Sequence, residues 1–171
     1  MGDGEERRRG RGEGWTIMPL ITNNYKLLIN LLIMDNCRFC QIAQKKVKDY
    51  VVWEDENFIA FLDINPAKAG HCMLIHKKHT DYFFDLEDES YLGLFKTAKK
   101  LSEPMRRAMD AKRIGIAVVG FDIPHAHLHL VSLHGSDELF DSKKFTKAKP
   151  DELKTVQEKL KNAFISLFPT K

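Results

Sequence analysis

The apolar and polar positions that follow residue 50 form short segments separated by turns. Short apolar segments bounded by turn residues are typical of β-strands. Three strands are predicted, at residues 51–54, 58–63 and 71–76. Polar residues 55–57 form a tight hairpin turn between the first two. Ahead of the strands, Asp35 and Asn36 are expected to cap a short helix that runs through residues 40–43.

From about residue 86 the apolar positions recur every three or four residues, which predicts a long amphipathic helix. Pro104 lies inside this helix and should kink or divide it. Two more strands are expected at residues 114–119 and 125–131, and a last amphipathic helix begins at Pro150. This order predicts an α+β fold with a five-stranded, mainly antiparallel sheet, a long helix and a C-terminal helix.

Three histidines occupy alternate positions of the fifth predicted strand. His125, His127 and His129 share one face of the sheet, about 7 Å apart, while Ala126 and Leu128 point to the other face. Burying three imidazoles requires a partner for each, which disfavours a purely structural role. Two kinds of chemistry fit. His-x-His can offer two ligands to zinc, and a neutral imidazole is a nucleophile whose charged form donates to phosphoryl oxygens.

Composition narrows the class of protein. The 171 residues are 43% apolar and can bury one core, so a single compact domain is expected. A net charge of +3 without a concentrated basic face does not predict a nucleic-acid partner. Three cysteines are too few for a secreted disulfide scaffold. Cys37 and Cys40, spaced Cys-x-x-Cys, favour a metal half-site or a redox pair in a reducing compartment, hence the cytoplasm.

Residues 1–33 differ from the rest of the chain. Residues 2–14 are a low-complexity polar segment, and residues 25–34 form an apolar stretch. That stretch is too short to span a bilayer, is interrupted by Lys26 and Asn30, and lacks a small-residue cleavage site. We therefore expect an N-terminal extension, no membrane partner, and a domain that starts near residue 34.

Residues 125–131 resemble the His-φ-His-φ-His-φ-φ signature (φ is apolar) of the histidine triad, or HIT, superfamily of nucleotide hydrolases and transferases. Segments 37–42, 58–66 and 70–79 resemble three further motifs of that family, in the right order, with His76 in place of a usual proline. The resemblance covers about residues 36–135 and does not extend to residues 1–33 or the C-terminal helix. With the composition, it predicts an extension at residues 1–33, a HIT domain at 34–138, and a C-terminal linker and helix at 139–171 that packs on the domain.

The resemblance also implies a mechanism. His127 matches the nucleophile that attacks the α-phosphorus of a nucleoside phosphoramidate or a related conjugate, giving a nucleotidyl-histidine that water hydrolyses. The positions that match substrate-binding residues are Phe39, Ile42, Phe61, Asp63, Ile64, Gly120, Asp122 and His129. Of these, His129 would bind the phosphate oxygens and Asp63 the ribose hydroxyls, whereas core packing is the plainer role for the apolar ones. Asp122 stands where the family has a hydroxyl, and a carboxylate there would repel phosphate unless it is protonated or faces an amine on the leaving group.

A structural zinc and a homodimer are further implications of the resemblance. The zinc would be coordinated by Cys37, Cys40, His79 and His125. The small molecules that the protein binds would be purine mononucleotide conjugates. Cys72 is expected to be buried, and His71, His76 and His134 are assigned to structure or surface. Alternative functions are a dinucleoside polyphosphate hydrolase, a metal-dependent hydrolase with the histidine row as ligands, and a non-catalytic nucleotide-binding adaptor.

Overall fold

The structure is a computed structural model that describes residues 25, 28, 29, 32–136, 138 and 145–167. The chain divides into two units, residues 1–33 and 34–171. In the first unit the described residues are helical and exposed. The rest of the predicted extension, and residues 139–144 of the predicted linker, lie outside the described residues. Among the helices of the described part, none is both long and apolar enough to cross a membrane.

Residues 34–36 are helical, and the described residues that follow in the second unit form three further α-helices and five strands. The helices are α1 (Arg38–Ala43), α2 (Asp88–Ala108) and α3 (Pro150–Phe164). The strands are β1 (Val51–Glu54), β2 (Phe58–Leu62), β3 (Cys72–His76), β4 (Arg113–Ala117) and β5 (His127–Leu133). Short 3-10 helices cover Phe83–Asp85 and Ile165–Leu167. The sheet has the order β1-β2-β3-β5-β4 and every neighbouring pair is antiparallel, so the predicted α+β class is confirmed.

The sheet buries apolar side chains on both faces. On one face Ala60, Leu74 and Leu128 pack against α2 and α3. On the opposite face, short α1 covers a smaller apolar cluster. We call this second surface the histidine face; its sheet residues are Ile59, Phe61, Met73, Ile75, His127 and His129. Each fully buried aliphatic or aromatic side chain contributes about 1.5–3 kcal/mol, so both clusters fix the position of β5.

Three predicted details of the helices and strands are wrong. β5 begins at His127, so His125 precedes the strand, and the amide of Ala126 donates to the carbonyl of Thr80 (2.6 Å) instead of to a sheet partner. The first N-cap is Cys37, with no side-chain cap from Asp35 or Asn36. β4 covers Arg113–Ala117 instead of 114–119, because its pairing with β5 starts at Ala117 opposite His129.

Pro104 does not divide α2, which runs unbroken from Asp88 to Ala108. Proline removes one backbone hydrogen bond from a helix interior. Here the neighbouring Leu101 and Met105 are fully buried against the sheet, and that packing holds the helix through the missing bond.

Candidate functional site

His127 and His129 lie side by side at the centre of the histidine face. The β3–β5 register places them opposite Ile75 and Met73. Their ring centroids are 4.9 Å apart, closer than the 7 Å expected from backbone spacing, because the two rings lean toward each other. Both imidazoles can therefore act on one small group such as a phosphate.

A main-chain hydrogen bond fixes the tautomer of His127. Its Nδ1 lies 2.5 Å from the carbonyl oxygen of His125. A carbonyl only accepts, so Nδ1 carries the hydrogen and Nε2 of the neutral ring keeps its lone pair. Burial lowers the pKa of His127, against the weaker opposite effects of the His125 hydrogen bond and the Asp63 and Asp122 carboxylates. The ring is therefore neutral at neutral pH, as a nucleophile must be.

His71, which the sequence assigns to structure or surface, lies beside the histidine pair and contacts His129. It is 1% exposed, and its Nε2 lies 3.0 Å from Nδ1 of His129. The amide of Ala67 donates to Nδ1 of His71 (3.1 Å), so the hydrogen of the neutral His71 ring is on Nε2. The sequence carries a signal for this position. Side chains alternate between the two faces of a strand, and His71 is two residues before Met73, so both point to the histidine face.

His71 in turn fixes the tautomer of His129. Nδ1 of His129 accepts the hydrogen bond from His71, so the neutral His129 ring presents Nε2–H to the site. Burial, with the like charges of protonated His71 and His127, lowers the pKa of His129 to about 3. The two neighbouring rings therefore offer complementary atoms, a lone pair on His127 and a hydrogen-bond donor on His129.

The arrangement around His71 is satisfied by hydrogen bonds within the protein. Atoms of Asp63, His71 and His129 lie within 4.8 Å of one another, close enough to suggest metal ligands. However, both ring nitrogens of His71 are already engaged, one with the Ala67 amide and the other with His129. The hydrogen bonding of His71 thus disfavours a metal ion at these three residues.

A second cluster joins Cys37, Cys40, His79 and His125, the four predicted zinc ligands. Nδ1 of His125 is 3.5 Å from each sulfur, and Nδ1 of His79 is 3.3 Å from Sγ of Cys40. In a tetrahedral site with Zn–S near 2.3 Å and Zn–N near 2.0 Å, sulfur and nitrogen ligands are about 3.5 Å apart. The separations and the donor set therefore fit zinc. The cysteines are free thiols, so they do not form a disulfide.

The electrostatics of the second cluster also suit a cation. A hydrogen bond from the Cys40 thiol lowers the pKa of Cys37 to about 3, which makes Cys37 the thiolate of the pair. Nε2 of His125 lies 2.9 Å from the His76 carbonyl and must donate to it, so Nδ1 keeps the lone pair that faces the sulfurs. Because the His125 carbonyl also holds His127, one residue connects the two clusters.

The remaining predicted site residues fall into two groups. Phe39, Ile42 and Phe61 are buried in the histidine-face cluster, and the Phe39 ring meets those of Phe61 and His127 edge-on at 5.1 and 5.3 Å. Ile64 is 41% exposed and lies outside that cluster. Gly120 and Asp122 are exposed in the loop that precedes β5. Gly120 has φ +79°, and a Cβ there would meet open space.

A cavity of about 660 Å³ lies beside this site. Asp63 and His71 line it, with an apolar surface from Leu62, Leu153 and Val156. Its lining comes from the end of β2 and the start of α3 and does not include His127. The cavity therefore lies to one side of the histidine pair.

Known proteins resemble this chain in sequence and in fold. An uncharacterized HIT-like protein of Methanocaldococcus jannaschii is 32% identical over 129 residues, 73% of this chain and 98% of that protein. The adenosine 5′-monophosphoramidase of Saccharomyces cerevisiae is 29% identical over 98 residues, which cover 56% of this chain and 61% of the yeast protein. The crystal structure of a Zn-bound histidine triad family protein from Mycobacterium smegmatis matches with a TM-score of 0.67 and 27% identity, covering 78% of this chain and 96% of that one.

A family model described as the HIT domain matches residues 44–136, more than half of the chain. The matched range contains β1 through β5 and both histidine clusters except the two cysteines. The chain therefore belongs to the HIT family.

Proposed function

We propose that this protein hydrolyses nucleoside phosphoramidates or related nucleotide conjugates, with His127 as the nucleophile. The observation that carries the proposal is the hydrogen bond from Nδ1 of His127 to the His125 carbonyl, which leaves a neutral Nε2 lone pair on the histidine face. The activity in the name of the yeast relative supports the phosphoramidate class.

The reaction proceeds in two steps. Nε2 of His127 forms a bond to the α-phosphorus while the P–N bond breaks, and its electron pair leaves with the amine nitrogen, which takes a proton from solvent. Water then attacks the phosphorus, the electron pair of the N–P bond returns to Nε2, and the proton of the water returns to solvent. Covalent catalysis of this kind divides one difficult displacement into two easier ones.

The neighbouring residues bind and orient the nucleotide. His129 donates from Nε2 to a phosphoryl oxygen, where a preorganised donor stabilises developing charge. Asp63 accepts from the Asn65 amide at 2.8 Å, which holds its half-buried carboxylate at the end of β2 to receive the ribose hydroxyls. A purine base packs against the apolar positions Phe39, Ile42, Phe61 and Ile64, with Gly120 and Asp122 on the leaving-group side.

Zinc would have a structural role in this proposal. Cys37, Cys40, His79 and His125 supply four protein ligands, which leaves no open position for substrate or water. When bound, zinc would join the start of α1 to the segment ahead of β5. It would thereby help to hold the His125 carbonyl that orients His127.

The proposal includes a homodimer in the cytoplasm, with the domain at residues 34–138 and the C-terminal helix as its appendage. β4 is an edge strand, and Ile116, Val118 and Val119 expose apolar surface along and just beyond it. An unpaired edge of this kind can pair with the same strand of a second copy. The free buried thiols are consistent with a reducing compartment.

The test compares His127→Ala with His134→Ala, a matched change at an exposed histidine. We expect His127→Ala to abolish hydrolysis of an adenosine phosphoramidate while AMP still binds by calorimetry, and His134→Ala to leave both intact. In acid-quenched wild-type enzyme, mass spectrometry should find the nucleotidyl group on His127. Unchanged hydrolysis by His127→Ala would refute the proposal, and hydrolysis of dinucleoside polyphosphates alone would favour that alternative.

A further inference from the structure

Two carboxylates act on the ring of His127. Asp63 and Asp122 each favour its charged form, against the effects of burial and of the neighbouring His125. The lysines at the two ends of β3 are held by carboxylates of their own. These pairs are Lys68–Glu138, Lys77–Glu54 and Lys78–Glu87.

The two carboxylates lie at opposite ends of the histidine pair. Asp63 follows β2, and its amide bonds the carbonyl of His71, two residues past the level of His129 on β3. Asp122 belongs to the loop that enters β5 at the His127 end. If Asp63 holds the ribose, the group bonded to the other side of the phosphorus lies toward Asp122.

The loop geometry keeps Asp122 in solvent and close to the site. Its neighbour Ile123 packs on the histidine-face cluster, and the Ile123 carbonyl accepts a hydrogen bond from the His125 amide at 2.8 Å. Asp122 itself is exposed, so its side chain faces solvent. The packed Ile123 anchors the loop and thereby restricts where the Asp122 carboxylate can move.

We propose that Asp122 selects leaving groups by charge, favouring amines that carry a positive group near the scissile P–N bond and opposing polyphosphates. This inference rests on the proposed phosphoramidate hydrolysis and names its substrate class. A cationic amine gains an attraction to Asp122. A polyphosphate leaving group would bring two or more negative charges toward a carboxylate and would be repelled by it.

The experiment uses three adenosine 5′-phosphoramidates whose leaving amines are equal in length and end in an ammonium, a methyl or a carboxylate group. kcat/KM is measured for wild type, Asp122→Asn and Asp122→Lys. The matched control is Asp85→Asn, an exposed carboxylate on the 3-10 helix whose Phe83 packs on the other side of the sheet.

For wild type and Asp85→Asn we expect kcat/KM to fall from the cationic to the neutral to the anionic substrate. The first and last should differ by roughly five- to tenfold, the scale of exposed charge pairs, and by less at high salt. Asp122→Asn should flatten this series and Asp122→Lys should invert it. The methyl-ended substrate separates a charge effect from a general loss of turnover.

Two outcomes would overturn the inference in different ways. Equal substrate ratios in wild type and Asp122→Asn would refute charge selection while leaving phosphoramidate hydrolysis intact. If wild type binds AMP but hydrolyses none of the three substrates, the proposed function on which the inference rests is refuted.

Discussion

Replacing His71 tests whether the tautomer of His129 is set by its neighbour. His71 makes two hydrogen bonds at 1% exposure, accepting from the Ala67 amide and donating to Nδ1 of His129. Leucine at this position has a similar volume but makes neither bond. His71→Leu therefore leaves one buried donor and one buried acceptor unpaired, and frees His129 to place its hydrogen on Nδ1.

The magnitude follows from those two groups. A buried polar group that loses its partner costs about 1–3 kcal/mol. The Ala67 amide is remote from the phosphate, so the cost of leaving it unpaired lowers the free energy of unfolding. The loss at His129 raises the activation barrier, and a rise of about 1–3 kcal/mol corresponds to roughly a five- to 150-fold loss in kcat. KM should change less, because the donor stabilises charge that develops in the transition state.

The assay measures kcat, KM and melting temperature for His71→Leu and His71→Gln with an adenosine phosphoramidate. A glutamine amide reaches the position of the His71 Nε2–H, so His71→Gln should recover part of kcat even though it loses the bond from Ala67. A purely structural His71 would lower stability in both variants without separating their kcat values. Equal kcat in His71→Leu and wild type would refute the argument.

Three other predictions concern the metal, pH and the core. Purified protein should contain one zinc per chain. Cys40→Ser should lose the zinc and melt at a lower temperature, whereas the control Cys72→Ser should keep the zinc. Wild type that is free of zinc and still fully stable would contradict the site. The His127 pKa lies below its ordinary value and the neutral ring is the active form. Activity should therefore persist as pH falls through 6.5 and be lost only below it, so an acid limb of kcat/KM at or above 6.5 would contradict the assignment. Leu74→Ala, at a fully buried position, should lower the free energy of unfolding by about 2–5 kcal/mol in urea denaturation, and Leu92→Ala, on the exposed face of α2, should change it little.

The strands and long helices could be predicted because their apolar patterns report burial directly. The unbroken apolar run of β2, which is buried along its whole length, and the three- and four-residue spacing along α2 each reflect which side chains are buried. The start of β5 could not be predicted in the same way. His125 continues the alternation, but pairing with β3 begins at His127, opposite Ile75, and that register depends on a segment about fifty residues away.

The contacts of His71 escaped prediction for a related reason. His71 and His129 are 58 residues apart, and only the β3–β5 pairing brings their rings together. The zinc ligands were easier to name because the family resemblance supplied all four. What the sequence could not supply was the 3.3–3.5 Å spacing that makes them fit one ion.

The three histidines of the motif carry the same ring, yet each presents a different atom to its surroundings. His125 donates from Nε2 to a carbonyl and turns the Nδ1 lone pair to the cysteines. His127 donates from Nδ1 to a carbonyl and keeps the lone pair on Nε2. His129 accepts at Nδ1 from His71 and presents Nε2–H. A metal ligand, a nucleophile and a hydrogen-bond donor thus arise from one residue type, because the partner of the opposite nitrogen decides which function each ring offers.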